Sequence, residues 1–583
     1  MEKNADNRLP SYLELIRLAK KESQKGKSTF RLAICGNMST QHIAEGVLGY
    51  ARLRNLNLAV FDADYNQIEV QTLDRDSELY RFQPDAVLIY LGTERLYSDY
   101  LHHKRKETFA DDYLGRMKAI WESIRKASGI RIIQTLPAEL DDGVYGNYSS
   151  QYRAAFLFQI RSFQLSLMQY ASEVEDVFLL DLQILQSQYG KEKLFDMKQY
   201  YMSQLPMAIE AIPPLSKRII DLLEAMLGHT KKCIILDLDN ILWGGEIGDA
   251  GIAGIEIGEL GKGRVFLELQ QWFRMLKNRG ILLAVCSKNY EEVAKEPFEK
   301  HPDMVLRMDD FVAFVANWEA KSHNIKRIRD ELNIGYDSMV FVDDSAFERE
   351  EVAAALPEVT VPDLPDRPEQ YLAFLKSLNL FESTGLSEAD GRRTEQYREA
   401  ANRRGEEKKY NDYQDYLKSL KMQGKVESFS DFLIPRISQL SMRSNQFNLR
   451  TGRYTRDQIQ EFVSDRKHIG LAFHLTDRFG DYGMIGIVML CISGENAFIR
   501  EWIMSCRVLG RGMEDFMLNA MVCKAKERGV CFLEGEYLPT AKNRIVEDLY
   551  ERSGFVRKDD HIWILNISNR KAKKTFIKEK EDD

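Results

Sequence analysis

At 583 residues the chain is too long for one hydrophobic core, and 44% apolar with 29% charged residues excludes wholesale disorder. A net charge of -8 excludes a global basic field for nucleic acid, and the longest apolar runs are strand-sized, so neither nucleic acid nor a membrane is expected as a partner. The start "MEKNADNRLPSYLELIRLAKK" lacks a signal-peptide core, and seven scattered cysteines form no CxxC pair, which fits a cytoplasmic protein.

In the first block, residues 1–228, "FRLAIC", "NLAVFD", "DAVLIYL", "IRIIQTL" and "DVFLLDL" are predicted strands. Helical patterns such as "DDYLGRMKAIWESIRKA" separate them, which predicts a mostly parallel sheet. The second block, residues 231–376, repeats the alternation with "KCIILDL", "GILLAVCS", "DMVLRM" and "SMVFVDD". Its apolar spacing predicts a helix from Gly263 to Asn278 closed by Gly280, and "GGEIGDAGIAGIEIGE" reads as a hairpin flap. Residues 377–425 read as a charged, solvated helical connector. The third block, residues 426–570, mixes strands ("GLAFHLTD", "GMIGIVML", "AFIREWIMS") with helices ("GMEDFMLNAMVCKAKERG", "AKNRIVEDLYERSG"). The tail, residues 571–583, is expected to fray. The fold class is therefore α/β and multidomain, with a central parallel sheet and an α+β C-terminal part.

Chemistry concentrates in the second block. Its strands deliver Asp237 and Asp239, then Ser287, then Asp343 and Asp344, with Lys321 at a helix start. Strand C-terminal ends share one edge of an open parallel sheet, where ligands bind. Asp237 can accept a phosphoryl group as nucleophile, and Asp239 can protonate the leaving group and then activate water. Asp343 can complete a carboxylate set around Mg²⁺, with Asp344 reaching it through water. Ser287 and Lys321 can hold the phosphoryl oxygens. The metal explains how clustered carboxylates are tolerated.

"DLDNILWGGEIGDAG", "CSKN", "NWEAKSHNI" and "FVDDSAFERE" resemble the four motifs of the haloacid dehalogenase (HAD) superfamily, and more narrowly its FkbH-like group, whose first motif carries WGG. The resemblance implies a HAD-type Rossmannoid sheet with Asp237 as nucleophile, Asp239 as acid/base, Ser287 and Lys321 as phosphate holders, and Asp237, Asp239 and Asp343 as Mg²⁺ ligands. Two positions depart from the pattern: Ile241 stands where Thr is usual, and Ser345 where Asn often follows the Asp pair. Between Asp239 and Ser287, and between Lys321 and Asp343, no inserted cap domain fits, so the site is expected to be open.

The third block resembles GNAT-type acyltransferases through "SCRVLGRGMEDFMLNAMV" and "AKNRIVEDLYERSGF". That likeness implies acyl-CoA or carrier-bound phosphopantetheine, with Arg507, Gly510, Arg511 and Gly512 facing the pyrophosphate and Asn543 and Tyr550 nearer the acyl end. The plainer alternative is a domain of that shape used for docking or packing. "SNQFNLRTGRYT" resembles a further FkbH-like signature without an assignable role. The first block resembles the SGNH-hydrolase-like domain that precedes the HAD part in this family. "ICGNMSTQHI" replaces its GDS motif, and Ser39 and Thr40 are not placed as nucleophiles, so a non-catalytic domain is expected.

For function, FkbH-like proteins imply transfer of a glyceryl or acyl group from an acyl phosphate, 1,3-bisphosphoglycerate, to an acyl carrier protein acting in trans, through a cysteine thioester. Cys286 and Cys506 are the candidate acyl-carrying thiols, although a buried strand cysteine is the plainer reading of Cys286. The alternatives are a plain phosphatase on a small or carbohydrate-linked phosphate, and a GNAT-type acyltransferase with a vestigial HAD site.

Overall fold

The computed structural model describes all residues except 1–8, 22–28, 128, 175, 204, 206, 386–390, 392, 400–409, 411, 445, 506–507, 541–542 and 581–583. Two units emerge, Met1–Leu223 and Glu224–Asp583. The second holds both the Asp-bearing block and everything C-terminal to it.

In the first unit, the apolar runs become β1 (Phe30–Gly36), β2 (Leu58–Asp62), β3 (Ala86–Tyr90), β4 (Arg131–Leu136) and β5 (Val177–Asp181). They pair in parallel in the order β2-β1-β3-β4-β5. Parallel strands need crossovers, and α1 (Gln41–Leu53), α2 (Phe109–Lys126) and α3 (Phe156–Glu173) are among those supplied. Trp121, Phe156 and Phe163 lie in the core against Val87 and Ile89 of β3.

The second unit opens with β6 (Cys233–Leu236), followed by α4 (Ile247–Gly254), α5 (Gly263–Asn278), β7 (Leu282–Ser287), β8 (Phe311–Ala316), α6 (Lys321–Leu332), β9 (Met339–Val342) and α7 (Ala346–Ala355). The four strands are parallel in the order β8-β7-β6-β9. Leu236 pairs with Val285 on one side and Val342 on the other, so β6, β7 and β9 reach one edge together. Both faces are covered, as a parallel sheet requires. Phe266, Leu269 and Phe273 of α5 pack on Ile234, Leu236 and Val285. Ile325 and Ile328 of α6 and Val352 of α7 pack on Ile235, Ala284 and Cys286.

Two local expectations fail here. "DMVLRM" is not a strand: Gln270 Oε1 accepts the Val305 and Leu306 N–H groups, each at 3.0 Å, and pairing begins instead at Phe311. The flap is closed by reciprocal Gly244–Glu256 backbone bonds of 3.0 and 2.8 Å, but α4 lies between them rather than a hairpin.

Within the charged connector, residues 393–399 are helical, and α8 (Tyr413–Ser419) follows. A nine-stranded sheet then combines β10 (Gln423–Ser428), β11 (Phe447–Asn448), β12 (His468–Asp477), β13 (Gly480–Ser493), β14 (Asn496–Met504), β15 (Phe532–Glu536), β16 (Val556–Arg557), β17 (Ile562–Asn566) and β18 (Lys578–Glu579). Helices α9 (Ile434–Arg443) and α10 (Arg456–Ser464) lie on one face and α11 (Met513–Glu527) on the other. β14 pairs in parallel with β15 only over Asn496–Ile499; beyond that, Ile503 and Met504 pair with β11. Among the described residues of "AKNRIVEDLYERSG", a 3₁₀ turn and the four-residue helix Leu549–Arg552 form in place of one long helix. The tail does not simply fray, because β18 pairs with β10. No helix among the described residues is long and apolar enough to cross a membrane.

Candidate active site

β6 stops at Leu236, but the Asp237 N–H still reaches the Val342 carbonyl at 2.9 Å, which fixes Asp237 at the sheet edge. Lys321, the first residue of α6, lies 2.9 Å from Asp237 Oδ1 and also pairs with Asp343 Oδ2. Asp343 Oδ1 accepts the Ser345 N–H at 2.8 Å, and Asp344 Oδ2 accepts Asn240 Nδ2 at 3.1 Å. Arg349 holds the backbone of this turn by donating to the carbonyls of Asp343 and Asp344 at 3.0 and 2.7 Å.

Asp237, Asp343 and Asp344 each offer an oxygen, and the three oxygens lie within 4.8 Å of one another. Burial pushes the Asp237 carboxyl up to about 6, with Lys321 opposing the rise and Asp343 adding to it. Burial also raises Asp343 and Asp344, again against the pull of Lys321. Burial alone would depress Lys321, yet Asp237 and Asp343 hold it above the ordinary lysine range. One ammonium faces three carboxylates, and the surplus negative charge together with hard oxygen donors suits a divalent cation. The residues present fit such an ion.

Asp239 is held by donors of its own. Its carboxylate lies outside the three-oxygen cluster because N–H donors hold it elsewhere: Oδ1 accepts Trp243 Nε1 at 2.8 Å and the Ile247 N–H at 3.0 Å, and Oδ2 accepts Asn289 Nδ2 at 2.9 Å. Asn289 Nδ2 also lies 3.3 Å from Ser287 Oγ, so one side chain ties the expected acid/base to the expected phosphate holder. Trp243 and Asn289 escaped the sequence reading. The signal was present, since both stand inside the quoted motifs "DLDNILWGG" and "CSKN". Asn240 and Gly245, at φ of +56° and +86°, turn the chain after Asp239, and Asn240 Oδ1 closes the turn on the Gly245 N–H at 3.0 Å.

Cys286 is not available as an acyl carrier. It is fully buried in the core under α6 and α7, its sulfur is 3.8 Å from the Lys321 carbonyl, and burial pushes its thiol up. Cys506 lies outside the described residues, as does Arg507.

The remaining GNAT-like residues are largely engaged within the protein. Gly510 and Gly512 both take φ of +76°, and the Gly510 carbonyl accepts Tyr413 Oη at 2.8 Å. Arg511 is engaged by Asp477 at 3.5 Å and by the Tyr482 hydroxyl. Asn543 is fully buried and donates to the Asn448 and Leu538 carbonyls, each at 2.9 Å, while accepting from Thr540. Tyr550 is buried and stacks on Trp563 at 5.4 Å. In the first unit, Thr40 Oγ1 is 2.5 Å from Asp62 Oδ1, and Asn37 Oδ1 accepts the Gly92 N–H at 2.7 Å, linking the loops after β1 and β3.

The profile of the FkbH N-terminal domain matches residues 31–224. Among solved structures, the chain is similar to the N-terminal part of BF1531 from Bacteroides fragilis, a protein containing a phosphatase domain and complexed with Mg. The identity is 39%, over 65% of this chain and 100% of that one, with a TM-score of 0.62. It also has a slight likeness to the ribosomal-protein-S18-alanine N-acetyltransferase of Escherichia coli, 17% identical over 26% of this chain and 97% of that one, at a TM-score of 0.21. The spermidine N-acetyltransferase of Vibrio cholerae in complex with CoA and spermine is 16% identical over 25% of this chain and 96% of that one, at 0.20. No curated protein matches.

Proposed function

The chain belongs to the FkbH-like HAD phosphatases, and from that premise we propose that it is a Mg²⁺-dependent phosphohydrolase or phosphotransferase working through an aspartyl-phosphate at Asp237. The carrying observation is the cluster of buried Asp237 and Asp343 with half-buried Asp344, the first two paired with Lys321, at one edge of a parallel sheet.

In the first step Asp237 attacks phosphorus, a P–O bond to Asp237 forms, and the bond to the leaving oxygen breaks. Asp239 gives that oxygen its proton. In the second step Asp239 takes a proton from water, the water oxygen attacks phosphorus, and inorganic phosphate leaves with Asp237 restored. Ser287 and Lys321 hold the phosphoryl oxygens, and Lys321 keeps Asp237 in place between turnovers. Mg²⁺ held by Asp237, Asp343 and Asp344 would neutralise charge on the transferring phosphoryl group. Asp237→Asn should abolish Mg²⁺-dependent phosphate release while leaving circular dichroism unchanged; undiminished turnover would refute the assignment.

The finer reading is that the phosphate comes from an acyl phosphate such as 1,3-bisphosphoglycerate, with the acyl or glyceryl group passed to a carrier protein. It is favoured by the open site, since one flap and α5 separate Asp239 from Ser287, and α6 with a 3₁₀ turn separates Lys321 from β9. With Cys286 buried, the accepting thiol is either Cys506 or the carrier's own phosphopantetheine. Intact mass after adding 1,3-bisphosphoglycerate tests this: a glyceryl adduct removed by hydroxylamine supports the relay, and phosphate release without an adduct or a loaded carrier rejects it.

A further inference from the structure

The two carboxylate oxygens of Asp239 sit in unlike surroundings, and the difference gives them different tasks. A carboxylate oxygen has two lone pairs and accepts about two hydrogen bonds. Oδ1 already accepts two, from Trp243 Nε1 at 2.8 Å and the Ile247 N–H at 3.0 Å. Both donors are rooted in the core. Trp243 and Ile247 are 0% and 1% exposed, and the indole meets Phe298 edge to face with ring centroids 5.6 Å apart. Beside the indole, the Leu242 carbonyl accepts Gln270 Nε2 at 2.6 Å, which ties this turn to α5. Oδ1 is therefore a fixed and saturated acceptor.

Among the described residues Oδ2 accepts a single donor, Asn289 Nδ2 at 2.9 Å, which leaves one lone pair for a proton. The orientation of this amide follows from its partner, because only the NH₂ end can donate to a carboxylate. The same NH₂ group lies 3.3 Å from Ser287 Oγ. An N–H aimed at a hydroxyl oxygen makes that oxygen the acceptor, so the Ser287 O–H turns away from Asn289 and can donate to a phosphoryl oxygen. Asn289 and Ser287 are 6% and 2% exposed, so water has little access to replace either bond. One buried amide thus sets two hydrogen positions: the side of Oδ2 on which a proton can sit, and the direction in which Ser287 points its own.

We propose that Trp243 and Asn289 are positioning residues for the proton steps: Trp243 locks Oδ1, so that Oδ2 is the oxygen that exchanges protons, and Asn289 aligns Oδ2 with the phosphoryl group at Ser287. This rests on the phosphohydrolase reading and adds the residues on which its proton transfers depend. In the first step the O–H bond at Oδ2 breaks as the leaving oxygen takes the proton. In the second, Oδ2 takes a proton from the attacking water. Losing a donor that aligns Oδ2 slows the reaction only where a proton must move.

The test is kcat/KM of the full chain with Mg²⁺ on glycerol 3-phosphate, whose alkoxide leaving group needs a proton, and on p-nitrophenyl phosphate and acetyl phosphate, whose leaving groups do not. Trp243→Phe keeps an aromatic ring and removes the N–H, and Asn289→Leu keeps the size and removes the NH₂. In either variant the kcat/KM ratio of glycerol 3-phosphate to p-nitrophenyl phosphate should fall by about tenfold, a part of the roughly 10²–10⁴-fold that acid–base catalysis supplies. Asn289→Leu alone should also raise KM on all three substrates, because it alone touches Ser287. A partly unfolded variant loses all three in proportion, so the ratio separates alignment from folding. A ratio unmoved in either variant overturns the inference. Turnover of p-nitrophenyl and acetyl phosphates with none of the alkyl ester also overturns it and keeps the phosphohydrolase reading. Absence of turnover on all three by the unaltered protein overturns both.

Discussion

Asp239 shows how far single side chains decide chemistry here. Two N–H donors on Oδ1 and one on Oδ2 fix its carboxylate away from the Asp237, Asp343 and Asp344 oxygens, so it can serve as acid and base without being bound up with a cation. Asp239→Asn turns an NH₂ group toward one of those donors and removes the proton source. Its kcat on alkyl phosphates should fall about 10²–10⁴-fold. On p-nitrophenyl phosphate, whose leaving group needs no proton, the first step should fall far less. Equal losses on both would remove the acid role. Cysteine accessibility is a second prediction at this scale: Cys523 is exposed, whereas Cys35, Cys233 and Cys286 are buried with their thiols pushed up by burial. Native iodoacetamide treatment with peptide mapping should label Cys523 and spare those three. The order and spacing of Asp237, Ser287, Lys321 and Asp343 made the site legible in the sequence, since each type has one task at a strand end or, for Lys321, at a helix start. Asn289 and Trp243 were not, because their role depends on which carboxylate oxygen they face.

Between strands, the "SNQFNLRTGRYT" stretch acquires a structural task that spacing could not reveal. It supplies β11, which pairs with β14 where β15 has departed, and a loop that closes over Glu501. Tyr454 Oη donates to Glu501 Oε1 at 3.0 Å, Gly452 lies so close that a Cβ there would be 2.0 Å from that oxygen, and Thr451 takes φ of +59°. Burial pushes the Glu501 carboxyl up to about 7, with Tyr454, Arg450 and Arg453 pulling the other way. Between its ordinary 4.5 and about 7, the folded state therefore holds a proton that the unfolded chain has released. Stability from this group is present below about 4.5 and is lost as pH rises through about 7, a span on the order of 3 kcal/mol. Urea unfolding across that range should show the decline, and Glu501→Gln should flatten it. A slope unchanged by the substitution assigns the pH dependence to other groups. Periodicity found every strand of the two parallel sheets except β8, because apolar runs bounded by turns are local. "DMVLRM" misled because Met304 and Leu306 are core residues without a strand partner, held by Gln270 from a distant helix.

For the whole chain, sequence blocks and structural units do not coincide. Composition suggests a connector and a separate third block, whereas the structure gathers residues from Glu224 onward into one unit, with β10 beginning inside the expected connector. Within the C-terminal sheet, long-range pairing brings β18 to β10, and a charged tail carries no local sign of it. The tail's fate is the sharpest case. Ile577 is 4% exposed in the core shared with Phe516 and Met422. Lys578 N donates to the Met422 carbonyl at 3.0 Å and Lys580 N to the Gly424 carbonyl at 2.8 Å, while Lys573 and Asn519 exchange two bonds of 2.8 Å. Ile577→Ala should cost about 2–5 kcal/mol of the docking that holds β18. A frayed tail would lose its lysine-rich end to trypsin at once, so native trypsin digestion followed by intact mass reads the difference directly. In the unaltered protein, cleavage after Lys578 should wait on local opening of β18, and Ile577→Ala should speed it by an order of magnitude or more. Immediate cleavage in both would show that the last strand does not hold the chain end, and the C-terminal sheet would then lose its edge at β10.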